Sequence, residues 1–303
     1  MKNVLITGAG GFIGRHCLPF LLERGYKVHA TFNKSRPIEA GPVQWHQVDL
    51  MDSRRLTKLI DQVQPTHLLH FAWVTEHKAY WTSLANLDWV RSTLELLLRF
   101  TNRGGRRAVI AGTCAEYGWG GDQPFKESLS QLKPKTLYGV CKHALNLMVD
   151  GLATESGLSA AWGRVFFLYG PHEQPNRLVP SITRALLKGM TVPCSHGNQV
   201  RDYMYVKDAA DAFVALLDSE VTGAVNIASG RPIELKTIIY KIAELIDNKD
   251  ALIKLGALPV SPDDPEVILA DVERLKDEVG WGPSFDLENG LEETINWWRK
   301  VES

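Results

Sequence analysis

The sequence predicts an α/β chain built on a doubly wound parallel sheet, with a smaller C-terminal unit attached. Three observations predict it. A short apolar run, Lys2 to Thr7, leads directly into the glycine-rich stretch G-A-G-G-F-I-G at residues 8–14. Strand-like runs recur at 3–7, 26–32, 43–48, 67–72, 107–112 and 160–167, and helical patterns separate most of them, the alternation that builds parallel sheets. After residue 170 proline becomes frequent (Pro171, Pro175, Pro180, Pro193, Pro232, Pro259, Pro262, Pro265) and the alternation weakens.

Taken in order, K-N-V-L-I-T suits a strand buried on both faces. Gly8, Gly11 and Gly14, with Phe12 and Ile13 between the last two, form the turn into a helix over Arg15–Arg24, and a second strand runs from Tyr26 to Phe32. Strand, glycine turn, helix and strand together mark a Rossmann-type dinucleotide-binding unit. Gly8 permits the tight turn, Gly11 lets the backbone approach a pyrophosphate, and Gly14 lets helix and strand pack closely. The amides opening the helix then face the phosphate charge. Long helices are expected over Leu84–Phe100 and Lys142–Ser156, each with apolar residues on more than one face, so a second surface is expected to bury them. The boundaries expected are a dinucleotide-binding domain over 1–170, to which 201–230 returns, and a substrate-binding domain over 171–200 and 231–303. The closing E-E-T-I-N-W-W-R-K reads as a helix in which Trp297 and Trp298 pack.

At 303 residues there is ample material for a core. A formal net charge of −1 gives no sign of a nucleic-acid or membrane surface. No apolar run is long enough to span a bilayer, and the N-terminus enters a strand without a secretory pattern. Cys17, Cys114, Cys141 and Cys194 lack metal-ligand spacing and read as reduced thiols of a cytoplasmic protein. No metal is expected, and His77, His172 and His196 read as loop or surface residues.

The most informative pair is Tyr138 and Lys142, one helical turn apart in T-L-Y-G-V-C-K. A phenol titrates at about 10, so ionising it near neutral pH costs roughly 4 kcal/mol. An ammonium about 4 Å away supplies on the order of 4 kcal/mol at an effective dielectric of about 20. The two magnitudes match, which makes Tyr138 a candidate acid and Lys142 the group that lowers its pKa.

With the glycine spacing, this pair resembles the extended short-chain dehydrogenase/reductase family, and more narrowly its NAD(P)-dependent nucleotide-sugar epimerases, dehydratases and reductases. The resemblance spans nearly the whole chain: T-G-A-G-G-F-I-G at the start, H-F-A at 70–72, T-C-A-E-Y-G at 113–118, Y-G-V-C-K at 138–142, L-Y-G-P at 168–171, R-D-Y-M-Y-V-K-D at 201–208 and N-I-A-S-G at 226–230. It implies that Thr113 is the catalytic hydroxyl beside Tyr138 and that Lys142 binds the nicotinamide ribose. It also implies a homodimer through the helices at 84–100 and 142–156.

The end of the second strand bears on the coenzyme. NAD-selective relatives place an acid there for the ribose 2′-hydroxyl, and none occurs from Val28 to Ile38. Asn33, Lys34, Ser35 and Arg36 suit a 2′-phosphate instead, so NADPH is expected, with NAD the alternative. Asp49 and Leu50 after the third strand, and Phe71 and Ala72 after the fourth, are expected to line the same site. Asp49 could equally cap the following helix.

Sugar 4,6-dehydratases of this family carry an acidic pair directly after the catalytic Thr. Cys114 and Ala115 stand there, and Glu116 comes one residue late, turned to the opposite face. Dehydration is therefore disfavoured. Trp89 and Phe167 replace asparagines common in relatives, which predicts an apolar pocket suited to a deoxysugar. The substrate-site residues expected are Trp73, Cys114, Ala115, Glu116, Phe167, Asn176, Arg177, Leu178 and Arg201, the arginine reaching a nucleotide diphosphate. The expected function is NADPH-dependent reduction of a nucleotide-linked 4-keto-6-deoxyhexose. An NAD-dependent 4-epimerase is the alternative, and a non-catalytic NADP-binding protein a third reading.

Overall fold

The computed structural model describes residues 2–34, 41–74, 76, 79–120, 124–262 and 264–302. Its first half alternates as expected. β1 (Asn3–Thr7), α1 (Gly14–Glu23), β2 (Lys27–Phe32) and β3 (Gln44–Gln47) lead into α2 (Ser53–Val63) and β4 (His67–His70). α3 (Ala85–Asn102), β5 (Arg107–Thr113), α4 (Leu137–Ser156) and β6 (Ser159–Val165) follow. Then come β7 (Phe167–Tyr169), α5 (Leu178–Leu187), β8 (Val192–Pro193), β9 (Val200–Tyr205), α6 (Val206–Asp218) and β10 (Gly223–Ile227). β11 (Pro232–Glu234), α7 (Leu235–Leu245), β12 (Ile253–Lys254), β13 (Val267–Ile268) and α8 (Leu287–Glu302) close the chain.

Seven of the strands form one sheet in the order β10-β6-β5-β4-β1-β2-β3, paired in parallel throughout. Chain order reverses between β1 and β4, the switch point where open α/β sheets bind ligands at strand carboxyl ends. The run V-L-I of β1 is fully buried because both faces are covered. Val4 and Ile6 meet Cys17, Leu18 and Leu21 of α1 and Phe213 of α6. Leu5 points the other way, into a core with Leu56 and Ile60 of α2, Leu96 and Phe100 of α3 and Leu145 of α4. The Thr7 hydroxyl and Thr93 hydroxyl hold the two ring nitrogens of buried His70 at 2.6 and 2.9 Å, which ties the switch point to α3.

Of residues 201–230, β10 joins the main sheet, while β9 pairs with β7, β11 and β13 in a separate four-stranded sheet. Beside that sheet α5, α7 and α8 share a core of Val179, Ile182, Ile238, Ile242, Leu291 and Ile295. Trp298 is buried, as expected of the closing helix. All four cysteines are buried and free. Among the described residues no helix is long and apolar enough to cross a membrane, and no cluster of side chains could hold a metal ion.

Candidate active site

The glycine turn makes the first wall. Gly8 has a φ of 68°, and a Cβ there would fall 2.7 Å from the Ala72 nitrogen, so only glycine lets β1 end this close to the chain leaving β4. Above it opens a cavity of about 430 Å³, lined by Gly8, Gly10, Gly11, Arg15, Thr31, Phe32, Asn33, Lys34, Val48, Asp49, Leu50, Ala72 and Trp89. Its place at the strand ends, its glycine floor and its basic rim fit the adenosine diphosphate half of a dinucleotide.

Several expected coenzyme residues line this cavity: Gly8, Gly11, Asn33, Lys34, Asp49, Leu50 and Ala72. Asp49 does not cap α2. That cap is Asp52, which accepts from the Arg54 and Arg55 amides, while Asp49 accepts from the Met51 amide at 3.0 Å. Other side chains turn away. Phe71 packs edge-on against Phe213 at 4.8 Å, because residues in a strand extension alternate between faces. Phe12 and Ile13 pack against the C-terminal core, and Gly14 starts α1. Ser35 and Arg36 lie outside the described residues, as does His77. Arg15 lines the cavity unforeseen. A cation in the first turn of a helix opposes the macrodipole, which was the available signal that an anion belongs nearby. It donates to the Gly10 carbonyl at 2.9 Å and meets His172 Nδ1.

Past the end of β5 the chain makes a short turn, Cys114–Glu116. Thr113 Oγ1 accepts from the Ala115 amide, and Glu116 accepts from the Thr113 amide at 2.8 Å. The N-terminus of α4 docks on this turn. Thr136 caps it by accepting from the Gly139 amide at 3.1 Å, and a Cβ on Gly139 would fall 2.5 Å from the Ala115 carbonyl oxygen. That close approach sets the Tyr138 side chain beside Thr113, whose hydroxyl pulls the Tyr138 pKa down. Tyr80 and Trp81, on the loop after β4, pack edge-on against Tyr138 at 4.9 and 5.7 Å, and Trp119 packs edge-on against Trp81 at 6.3 Å. These three aromatics sit in loops without periodicity, where no sequence pattern singles them out.

Lys142 is 3 % exposed. Its Nζ donates to the Ala111 carbonyl at 2.8 Å and stands 3.7 Å above the Trp73 ring. Burial pulls its pKa down to about 7, against the opposing pull of Glu116. Burial also raises the Tyr138 phenol, against the opposing pull of the neighbouring Thr113 hydroxyl. The ammonium is turned toward Ala111 and Trp73 and is itself driven toward neutrality.

Of the expected substrate residues, Glu116 is corrected. It is fully buried, and accepts from Trp162 Nε1 at 2.8 Å and Arg164 Nε at 2.9 Å besides Thr113. Arg164 reaches on to Tyr117 and Asn146, and Tyr117 to Asn226. Glu116 therefore braces Thr113 from behind, inside the core. Arg201 is likewise engaged, by Asp264 at 2.6 Å and the Val200 and Glu266 carbonyls. Trp73 donates to Asn86 Oδ1 at 2.8 Å and stacks on Trp89. Cys114 and Ala115 are buried beside Thr113, and burial pushes the Cys114 thiol up to about 12, so it is an inert packing residue. Phe167 packs on Tyr203 at 5.5 Å, with the Arg201 guanidinium 5.6 Å over its ring. Asn176 is exposed, and Arg177 and Leu178 are half-buried at the start of α5.

A glycine-floored cavity at the strand ends, with Thr113, Tyr138 and Lys142 at β5 and the start of α4, defines a nicotinamide-dependent enzyme of the extended short-chain dehydrogenase/reductase class. The sequence profile of the NAD dependent epimerase/dehydratase family matches residues 4–228, and the chain belongs to that family. It is 29% identical to the UDP-N-acetyl-alpha-D-glucosaminuronate decarboxylase of Bacillus cytotoxicus, covering 100% of this chain and 99% of the relative. It is 27% identical to the UDP-glucuronate 4-epimerase of Thermodesulfobacterium geofontis, covering 98% and 96%. Among solved structures it resembles the UDP-N-acetylglucosamine 4-epimerase of Methanobrevibacter ruminantium in complex with UDP-N-acetylmuramic acid, with a TM-score of 0.89 at 25% identity over 99% of both chains. The UDP-glucose 4-epimerase of Thermus thermophilus in complex with NAD superposes with a TM-score of 0.88 at 25% identity, covering 98% and 99%.

Proposed function

We propose that the protein is a nucleotide-sugar 4-epimerase, which oxidises and re-reduces C4 of a nucleotide-linked hexose around a retained nicotinamide dinucleotide. The observation that carries this is the placement of Tyr138 beside Thr113 where α4 docks on the turn after β5, with no carboxyl at 114 or 115 for water elimination. The full-length likeness to UDP-sugar epimerases and decarboxylases supports C4 chemistry ahead of the simple ketoreduction expected from sequence. A bound nicotinamide supplies the hydride acceptor and donor. This requires the Tyr138 phenol, which burial raises in the protein alone, to be ionised once dinucleotide and sugar are bound; the phenolate then takes the proton of the C4 hydroxyl as that carbon is oxidised and returns it as the carbon is reduced. The Thr113 hydroxyl holds the same oxygen and fixes its direction. Lys142 rests behind them and binds the nicotinamide ribose. The nucleotide diphosphate lies along Asn176–Leu178, and the sugar faces Trp81 and Trp119.

A second reading, an NADPH-dependent 4-ketoreductase acting on a nucleotide-linked 4-keto-6-deoxyhexose, is favoured by two observations. No acid stands at the end of β2, where Asn33 and Lys34 line the cavity. A phenol that burial keeps protonated also suits a proton donor. We further propose that the protein is a homodimer. Leu84, Leu87 and Leu98 of the α3 region and Val140, Leu147 and Met148 of α4 are exposed on adjoining faces, an apolar surface that a second copy would cover.

Purified protein should release nicotinamide dinucleotide on denaturation and interconvert C4 epimers of a UDP-hexose without added coenzyme. Failure of both, with oxidation of NADPH by a nucleotide-linked 4-keto-6-deoxyhexose, would select the second reading.

A further inference from the structure

The cleft beside α5 contains a carboxyl that the chemistry above leaves unused. Glu173 is 9 % exposed, and its Oε2 has no hydrogen-bond partner among the described residues. A buried carboxyl oxygen without a partner is costly, so it marks either a defect or a ligand contact. Burial pushes the group well above the usual carboxylate range, against the opposing pull of Arg177 and the Gly170 amide. In that state it is a hydrogen-bond donor.

Arg177, four residues on, is its largest electrostatic partner. α5 starts at Leu178 with no side-chain cap, so its first amides and the positive end of its dipole are open. The Arg177 guanidinium stands 5.5 Å over the Tyr80 ring, and Tyr80 packs against Tyr138, which places the cation on the catalytic tyrosine's side of the cleft. The Tyr203 phenol, raised first by burial, has Glu173 as its largest electrostatic neighbour. Arg201 is no competitor, because Asp264 and two carbonyls hold it.

We infer that Glu173 is a substrate-binding residue, whose carboxyl donates a hydrogen bond to an oxyanion of the nucleotide sugar held between Arg177, Tyr203 and the first amides of α5. This rests on the nucleotide-sugar reading. An ionised carboxylate would repel such a ligand, whereas a neutral acid adds a donor, and an arriving anion further favours the neutral form. The oxyanion is the pyrophosphate or the carboxylate of a hexuronate.

Calorimetric titration of the protein as purified, with UDP, UDP-glucose and UDP-glucuronate, tests this in Glu173→Gln and Glu173→Leu. Glu173→Leu should weaken binding tenfold or more, and Glu173→Gln, whose amide still donates, by less than threefold. The affinity for nicotinamide dinucleotide should hold in both. Weakening of all three ligands identifies the pyrophosphate, and weakening of UDP-glucuronate alone identifies the hexuronate carboxylate. Unchanged binding in Glu173→Leu, whatever its melting temperature, overturns the inference. So does Glu173→Gln as weak as Glu173→Leu, which would make the carboxylate an acceptor. Should Glu173→Leu not fold, Tyr203→Phe must weaken UDP binding at least threefold, and unchanged affinity there also overturns it. Wild-type protein that binds none of the three would refute the nucleotide-sugar reading itself.

Discussion

Glu116→Gln isolates the charge behind Thr113. The substitution keeps the volume of the side chain, so no cavity confounds the result, and an amide oxygen can still accept from Trp162 and the Thr113 backbone. What it removes is the anion 2.9 Å from Arg164 Nε, in a pair whose side chains are 2 % and 0 % exposed. Stranding a buried guanidinium costs roughly 3–5 kcal/mol, a large part of the ~5–15 kcal/mol that stabilises an ordinary domain. The partly satisfied amide also presents N–H groups toward the Arg164 N–H groups. Urea unfolding followed by tryptophan fluorescence should show a lower midpoint with an unchanged slope. Glu116→Leu combined with Arg164→Met should recover more stability than the two single losses predict, by about 2 kcal/mol or more, because the two groups share one network. A Glu116→Gln protein within about 1 kcal/mol of wild type would refute the claim that this pair braces the site.

Further outcomes follow from the same geometry. Tyr138→Phe should abolish turnover and leave dinucleotide affinity within about threefold, as equilibrium titration would show; retained turnover removes Tyr138 from the chemistry. Lys142 has a folded pKa of about 7, below the ~10.4 of a free lysine, so the unfolded chain binds more protons between those values and stability rises with pH across that window. Lys142→Met should therefore melt higher than wild type at pH values below about 7, with the difference shrinking as pH rises toward about 10; a difference independent of pH contradicts the buried ammonium. Asn33→Asp places a carboxylate at the end of β2 and should shift the ratio of NAD to NADP affinity toward NAD by at least about tenfold; no shift would move the 2′-position away from Asn33 and Lys34. Leu98→Lys with Leu147→Lys should yield monomers in sedimentation if α3 and α4 form the dimer face, and an unchanged sedimentation coefficient would exclude that face.

The main sheet was legible because its signals are local. The apolar run at 3–7 and the glycine turn announce β1 and α1, and the five later strand-like runs reappear as β2 to β6. Spacing and order marked Thr113, Tyr138 and Lys142 as candidates, and the fold places Thr113 at the end of β5 and the other two at the start of α4, docked on the turn that follows. What the sequence hid depends on where side chains turn after a strand ends. Glu116 looked like a pocket residue, yet a capping turn directs it into the core beneath Trp162 and Arg164. Arg201 looked free for phosphate, but Asp264, 63 residues away, holds it. Trp73 lies against Lys142, Tyr80 and Trp81 wall the tyrosine, and Trp119 backs Trp81. Such contacts are set by loop paths, which carry no periodicity.

Proton NMR of UDP-galactose incubated with the protein as purified shows whether C4 is inverted. C4 epimerisation predicts the growth of UDP-glucose anomeric signals without added coenzyme, absent in Tyr138→Phe. No interconversion of any UDP-hexose epimer pair, together with stoichiometric NADPH oxidation by a nucleotide-linked 4-keto-6-deoxyhexose, would contradict it.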